Sequence, residues 1–116
     1  LHSMSNLEYL NLERNFLREL ELRNLPRLEF LNCYRNDLEK VDLEHLPSLK
    51  TLNLSFNALR SLTLKDLPSL EKVNVSINKL QSVELSGLPN LVQLDLRYNQ
   101  LDHLDLRHFP RLYSVN

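Results

Sequence analysis

Few side chains in this sequence have the types and spacing to do chemistry. The candidate metal ligands and nucleophile are four histidines, His2, His45, His103 and His108, and one cysteine, Cys33. His103, Asp105 and His108 lie close together, but their spacing matches no standard zinc pattern. They are read as polar residues that face water. A single thiol excludes an internal disulfide. Cys33 stands where comparable segments carry leucine, so it is read as a small buried hydrophobe and not a nucleophile. No P-loop, dinucleotide fingerprint or G-x-S-x-G is present. No catalytic residue, metal or cofactor is expected, and the chain does not read as an enzyme.

The elements that would position any site follow from internal repetition. Written in lines of 21 residues beginning at Leu7, Leu28, Leu49, Leu70 and Leu91, the chain aligns without a gap. A sixth line begins at Leu112. The shared pattern is L-x-x-L-x-L-x-x-N-x-L-x-x-L-x-L-x-x-L-P-x. In the third line it reads Leu49, Leu52, Leu54, Asn57, Leu59, Leu62, Leu64, Leu67 and Pro68. Cys33, Val41, Val75, Val83 and Phe109 substitute for leucine. Position nine is Asn15, Asn36, Asn57, Asn78 and Asn99 in turn. A polar column flanked by core leucines needs hydrogen-bond partners, and an amide can both donate and accept. The column is therefore read as structural.

This pattern resembles the leucine-rich repeat family across essentially the whole chain. The resemblance implies an α/β-type leucine-rich repeat solenoid, a right-handed coil with a parallel β-sheet on its concave face. It also implies that each position-nine Asn bonds the turn backbone of its own and the adjacent coil. The residues support the same fold. Alternation in L-x-L is a short strand with one buried face, and only stacking of coils buries that face. The second half of each line alternates too, and ends at Pro26, Pro47, Pro68, Pro89 or Pro110. Proline lacks a donor and holds its predecessor extended. Short extended or 3₁₀ pieces and little α-helix are expected on the convex side. Gly87 is the only glycine, so a fold with many left-handed turns is not expected.

One leucine-rich repeat domain, 1–116, is expected, with part-repeats at 1–6 and 112–116 around repeats 7–27, 28–48, 49–69, 70–90 and 91–111. Neither end reads as a polar cap. The chain is therefore read as an internal piece of a longer repeat protein, with self-association through uncapped ends a hazard. The formal net charge is -1, which gives no electrostatic footprint for nucleic acid. No apolar run is long enough to span a bilayer.

Outward positions on the strands define where a partner would touch. Position five is Asn11, Asn32, Asn53, Asn74, Asp95 and Asn116, a polar ladder read as structural. It includes the N-glycosylation sequons Asn53-Leu54-Ser55 and Asn74-Val75-Ser76, a triplet that the repeat pattern generates by itself. Position three varies as Tyr9, Phe30, Thr51, Lys72, Gln93 and Ser114. Position seven varies as Glu13, Tyr34, Ser55, Ser76 and Arg97. Aromatics and arginine are enriched in binding hot spots, so Tyr9, Phe30 and Tyr34 beside Arg14 and Arg35 form the best-marked patch. Phe56, Ile77 and Tyr98 continue position eight as an apolar ridge. The partner expected is another protein of unknown identity. The resemblance implies recognition roles that include innate immunity and receptor ectodomains, and an extracellular setting is favoured over a cytoplasmic one. The alternatives are a scaffold or assembly element, or the recognition arm of an enzyme whose catalytic domain lies elsewhere.

Overall fold

A computed structural model describes residues 5–101, 104 and 114–115. Each coil opens with a three-residue strand at positions three to five: β1 (Tyr9–Asn11), β3 (Phe30–Asn32), β5 (Thr51–Asn53), β7 (Lys72–Asn74) and β9 (Gln93–Asp95). With β10 (Ser114–Val115) they form one six-stranded sheet in the order β1-β3-β5-β7-β9-β10. Every pairing is parallel, and each residue faces the one 21 positions on, as in Tyr9 with Phe30 and Leu52 with Val73. The repeat period thus sets the sheet register. The central leucine or valine of each strand points inward, and its neighbours point outward.

The second half of each of the first four coils is extended and without helix, as expected. It is a five-residue strand: β2 (Glu19–Arg23), β4 (Lys40–Glu44), β6 (Ser61–Lys65) and β8 (Ser82–Ser86). No helix, α or 3₁₀, occurs among the described residues. These back strands do not form one sheet. β2 pairs with β4 and β6 with β8, both in parallel, but no ladder joins β4 to β6. A cleft of 680 Å³ opens along that seam, lined by Val41 and Leu43 of β4 and by Thr63 and Lys65 of β6.

Between the two layers the leucines stack in columns. Leu28, Leu49 and Leu70, or Leu31, Leu52 and Leu94, are sealed from solvent. Each fully buried leucine contributes roughly 1.5–3 kcal/mol. The surface ion pairs, such as Arg18–Glu39 at 2.9 Å, join exposed groups, which contribute little. The columns therefore hold the fold. The proline column closes each coil: Leu28, Leu49, Leu70 and Leu91 donate to the carbonyls of Leu25, Leu46, Leu67 and Leu88 at 3.2–3.3 Å. Proline sits second in each of these four-residue turns, where its fixed φ is already correct. The residue after it ties coil to coil, with Ser48 Oγ donating to Pro26 O and Ser69 Oγ to Pro47 O, both at 2.6 Å.

The expectation drawn from a single glycine is wrong. Each of the first four coils makes two left-handed turns, and the fifth makes at least the first of them. At position eight Arg14, Arg35, Phe56, Ile77 and Tyr98 have φ of 55–60°, and at position eighteen Asn24, His45, Asp66 and Gly87 have φ of 55–63°. Asn and Asp tolerate this region, but a β-branched residue such as Ile77 adopts it only under compulsion. The compulsion is visible at position eight, whose amide donates to the next coil, as in Ile77 to Arg97 O at 2.9 Å. Gly87 is required for a further reason. A Cβ there would lie 2.9 Å from the amide nitrogen and 3.0 Å from the Cα of Asp66, one coil back. Gly87→Ala is expected to cost about 2 kcal/mol from left-handed strain alone, plus the backbone displacement. Urea unfolding of that variant beside Ser86→Ala measures it; equal midpoints would refute the argument.

Candidate recognition surface

Position three of the strands supplies an outward column on the six-stranded face, exposed at Tyr9 and Lys72 and half-buried at Phe30, Thr51 and Gln93. Tyr9 and Phe30 stack with ring centroids 4.6 Å apart and planes 3° from parallel. Their strands are register partners, so the repeat brings the rings face to face. Tyr9 is 55% exposed. Beyond them a groove of 360 Å³ runs over Phe30, Thr51, Asn53, Lys72, Asn74 and Asp95. The position-five side chains cap the turns that follow their strands. Each Oδ1 accepts the backbone N–H two residues on: Asn32 from Tyr34, Asn53 from Ser55 and Asn74 from Ser76, all at 3.0 Å. Ser55 and Ser76 Oγ also donate to Asn53 and Asn74 Oδ1 at 2.7 Å. These side chains hold the turn that ends each strand.

Residues at positions seven and eight lie on that turn, beside the sheet. Tyr34 therefore joins a second cluster and not the Tyr9–Phe30 stack. Its ring meets Phe56 edge-on at 5.4 Å, and Arg35 Cζ lies 5.3 Å from the Phe56 centroid. Arg14, Arg35 and Phe56 line a groove of 440 Å³ together with Phe16 and Asp37. Phe16 is the most exposed large hydrophobe described, at 89%, and was not among the sequence candidates. The signal was present. Position ten is otherwise Asp37, Ala58, Lys79 and Gln100, so one phenylalanine stands out. Along the ridge Tyr98 is 77% exposed, and Ile77 is half-buried.

Not every candidate charge is free for a partner. Arg97 grips Asp95 with two bonds, Nε to Oδ1 at 3.0 Å and a second guanidinium nitrogen to Oδ2 at 2.7 Å. The side-chain bond from Arg97 holds the Asp95 carboxyl below the usual range. Glu13 Oε2 accepts from Asn32 Nδ2 at 3.5 Å. On the back face Arg23 reaches Glu21 at 2.8 Å, Asp42 at 3.1 Å and Glu44 at 3.6 Å. Glu44 is the largest of the charges that raise its pKa. Lys72, Arg14 and Arg35 have no acidic partner within ion-pair distance among the described residues.

The asparagine column is built as the resemblance implied. Asn78 Nδ2 donates to Leu54 O of the preceding coil and to Val75 O of its own, each at 3.0 Å, while its Oδ1 accepts from Leu59 N at 3.1 Å. Asn36, Asn57 and Asn99 repeat this set. Asn15 bonds only within its own coil, to Leu12 O and Glu13 O. Cys33 takes the place of a leucine within its column with no exposed surface, and burial pushes its thiol up to about 12. Among the described residues no three His, Cys, Asp or Glu side chains gather as a metal site; His103, Asp105 and His108 lie outside those residues. No described helix is long and apolar enough to cross a membrane.

The family model described as Leucine rich repeat matches residues 58–101, and the one described as Leucine Rich repeats (2 copies) matches 26–67. Together they span most of the described coils, and the chain belongs to the leucine-rich repeat family. No curated protein and no solved structure matches it. Domains of this family are in general protein-interaction modules and typically non-catalytic.

Proposed function

We propose that this chain is a protein-recognition module whose six-stranded face makes the contact. The stacked Tyr9–Phe30 pair carries the reading. It is an exposed aromatic anchor at the head of a groove, on a frame whose backbone is tied coil to coil. A pre-formed surface lowers the ordering cost of association, and buried aromatics dominate interface energies. Lys72 adds one unpaired positive charge within the groove. A receptor ectodomain or an innate-immune sensor would use such a face, and an extracellular setting fits both. Asn53 and Asn74 are read as turn-holding residues, because a glycan on either would fill the groove. An intact-mass measurement on secreted protein finds them unmodified if this is correct.

The test is a double substitution. A partner retained by the wild-type domain loses at least about tenfold in affinity when Tyr9 and Phe30 both become Ser, with the thermal melt unchanged. Glu84→Ala, on the back strand β8, binds as wild type. Retention by the double variant, with loss on substitution at the end coils, would favour the scaffold reading instead.

A further inference from the structure

We infer that the turn edge of the first three coils is a second binding site, separate from the six-stranded face. It takes a peptide segment of a partner protein that presents a carboxylate beside an apolar side chain. Four observations meet there. Arg14 and Arg35 occupy equivalent positions in adjacent coils and line the same groove of 440 Å³. Both are exposed, and neither guanidinium has an ion-pair partner among the described residues. Of the other described arginines, Arg18, Arg23 and Arg97 are held by acidic partners, and Arg27 and Arg60, which have none, do not line this groove. Finally, the flanks are aromatic: Phe56 braces Arg35 at 5.3 Å, and Phe16 stands 89% exposed across the groove.

The chemistry follows from these groups. A guanidinium presents a planar fork that matches a carboxylate with two parallel bonds. Two forks side by side, one of them braced on a ring, present several donors in a fixed direction. The apolar walls exclude water from part of that anion, which strengthens each charge-assisted bond. Asp37 lines the same groove, so its net charge is a single positive one. That suits one carboxylate better than a densely anionic surface such as a lipid bilayer. An apolar neighbour on the peptide would cover Phe16, whose exposed ring otherwise gains nothing from its position.

The experiment uses an acetylated, amidated tetrapeptide Asn-Leu-Glu-Phe, with one carboxylate, and its neutral counterpart Asn-Leu-Gln-Phe. Arginine Nε–H signals are followed by NMR as each peptide is titrated. The acidic peptide should shift Arg14 and Arg35 saturably and leave Arg23 and Arg97 in place, while the neutral one should shift none. Changing Arg14 and Arg35 together to Gln should weaken binding at least about tenfold. Arg35→Lys, which keeps charge and loses the fork, should fall between. The double variant's unshifted remaining spectrum verifies its fold. Tyr9→Ser with Phe30→Ser should bind the peptide as wild type, so this site stands or fails apart from the six-stranded face. Equal shifts at all four arginines, undiminished binding by the double Gln variant, or saturation by inorganic phosphate at the same concentrations would overturn the inference. So would Arg14- and Arg35-dependent binding to phosphatidylserine vesicles without peptide binding.

Discussion

Asn78→Ala lowers the stability of this domain by about 2 kcal/mol or more, whereas Asn15→Ala costs under about 1 kcal/mol. The side chains are chemically identical, and the difference lies in what each leaves behind. Loss of the Asn78 amide orphans the buried Leu59 N–H, while Leu54 O and Val75 O each lose one of two amide donors and keep the other, from Asn57 and Asn99. The orphan costs about 1–3 kcal/mol, and the two lost carbonyl bonds add to it. Asn15 is exposed, and water replaces its two bonds to Leu12 O and Glu13 O. Asn78→Asp separates the contributions. It keeps an acceptor for Leu59 N–H but sets a carboxylate oxygen against two carbonyls, so it should be at least as damaging as Ala. Urea unfolding of the three variants measures this. Similar losses at Asn15 and Asn78 would show that the column does not tie coil to coil.

The second large effect is on thiol reactivity. The native domain's Cys33 should react with iodoacetamide at about pH 8 at least roughly a thousandfold more slowly than the same cysteine in urea. Burial raises its pKa from 9.0 to about 12, which suppresses the reactive thiolate. Steric closure adds to this, since the residue has no exposed surface. The same shift ties stability to pH. Above pH 9 the unfolded thiol gives up its proton while the folded one keeps it until about 12. The stability from the neutral buried thiol is therefore fully present below pH 9 and is lost as pH rises through that window. Cys33→Ala lacks that slope, although it starts from a lower stability because of the cavity. Rapid native alkylation, or identical alkaline slopes in the two proteins, would contradict the burial of Cys33.

Much of the fold was legible in the sequence because a solenoid repeats its own evidence. The period gave strand register, the leucine columns and the asparagine ties together, since each depends on what recurs at a fixed interval. Glycine content misled, because the rule that left-handed turns need glycine concerns intrinsic preference. Here the coil-to-coil bond of Ile77 to Arg97 and the turn-holding bond of Ser76 to Asn74 impose the conformation on whatever residue is present. The candidate surface was legible by residue type but not by grouping. Tyr9, Phe30 and Tyr34 read as one patch, yet positions three and seven lie on different sides of the strand's end, and Tyr34 goes to Phe56. Phe16 was missed because position ten lies outside the strand positions from which the surface was read, although a lone phenylalanine there departs from Asp37, Ala58, Lys79 and Gln100.

The unjoined back strands have a mechanical consequence. In a repeat array, stability is roughly a sum over neighbouring interfaces, and every other interface between coils bearing back strands has two ladders where that between β4 and β6 has one. Under tension along the solenoid axis, the chain behaves as two springs in series with a soft joint. It yields first behind Val41 and Thr63, while the six-stranded face, continuous across the joint, serves as the hinge leaf. Bending there changes the curvature of the face that meets a partner and breaks no back-strand ladder.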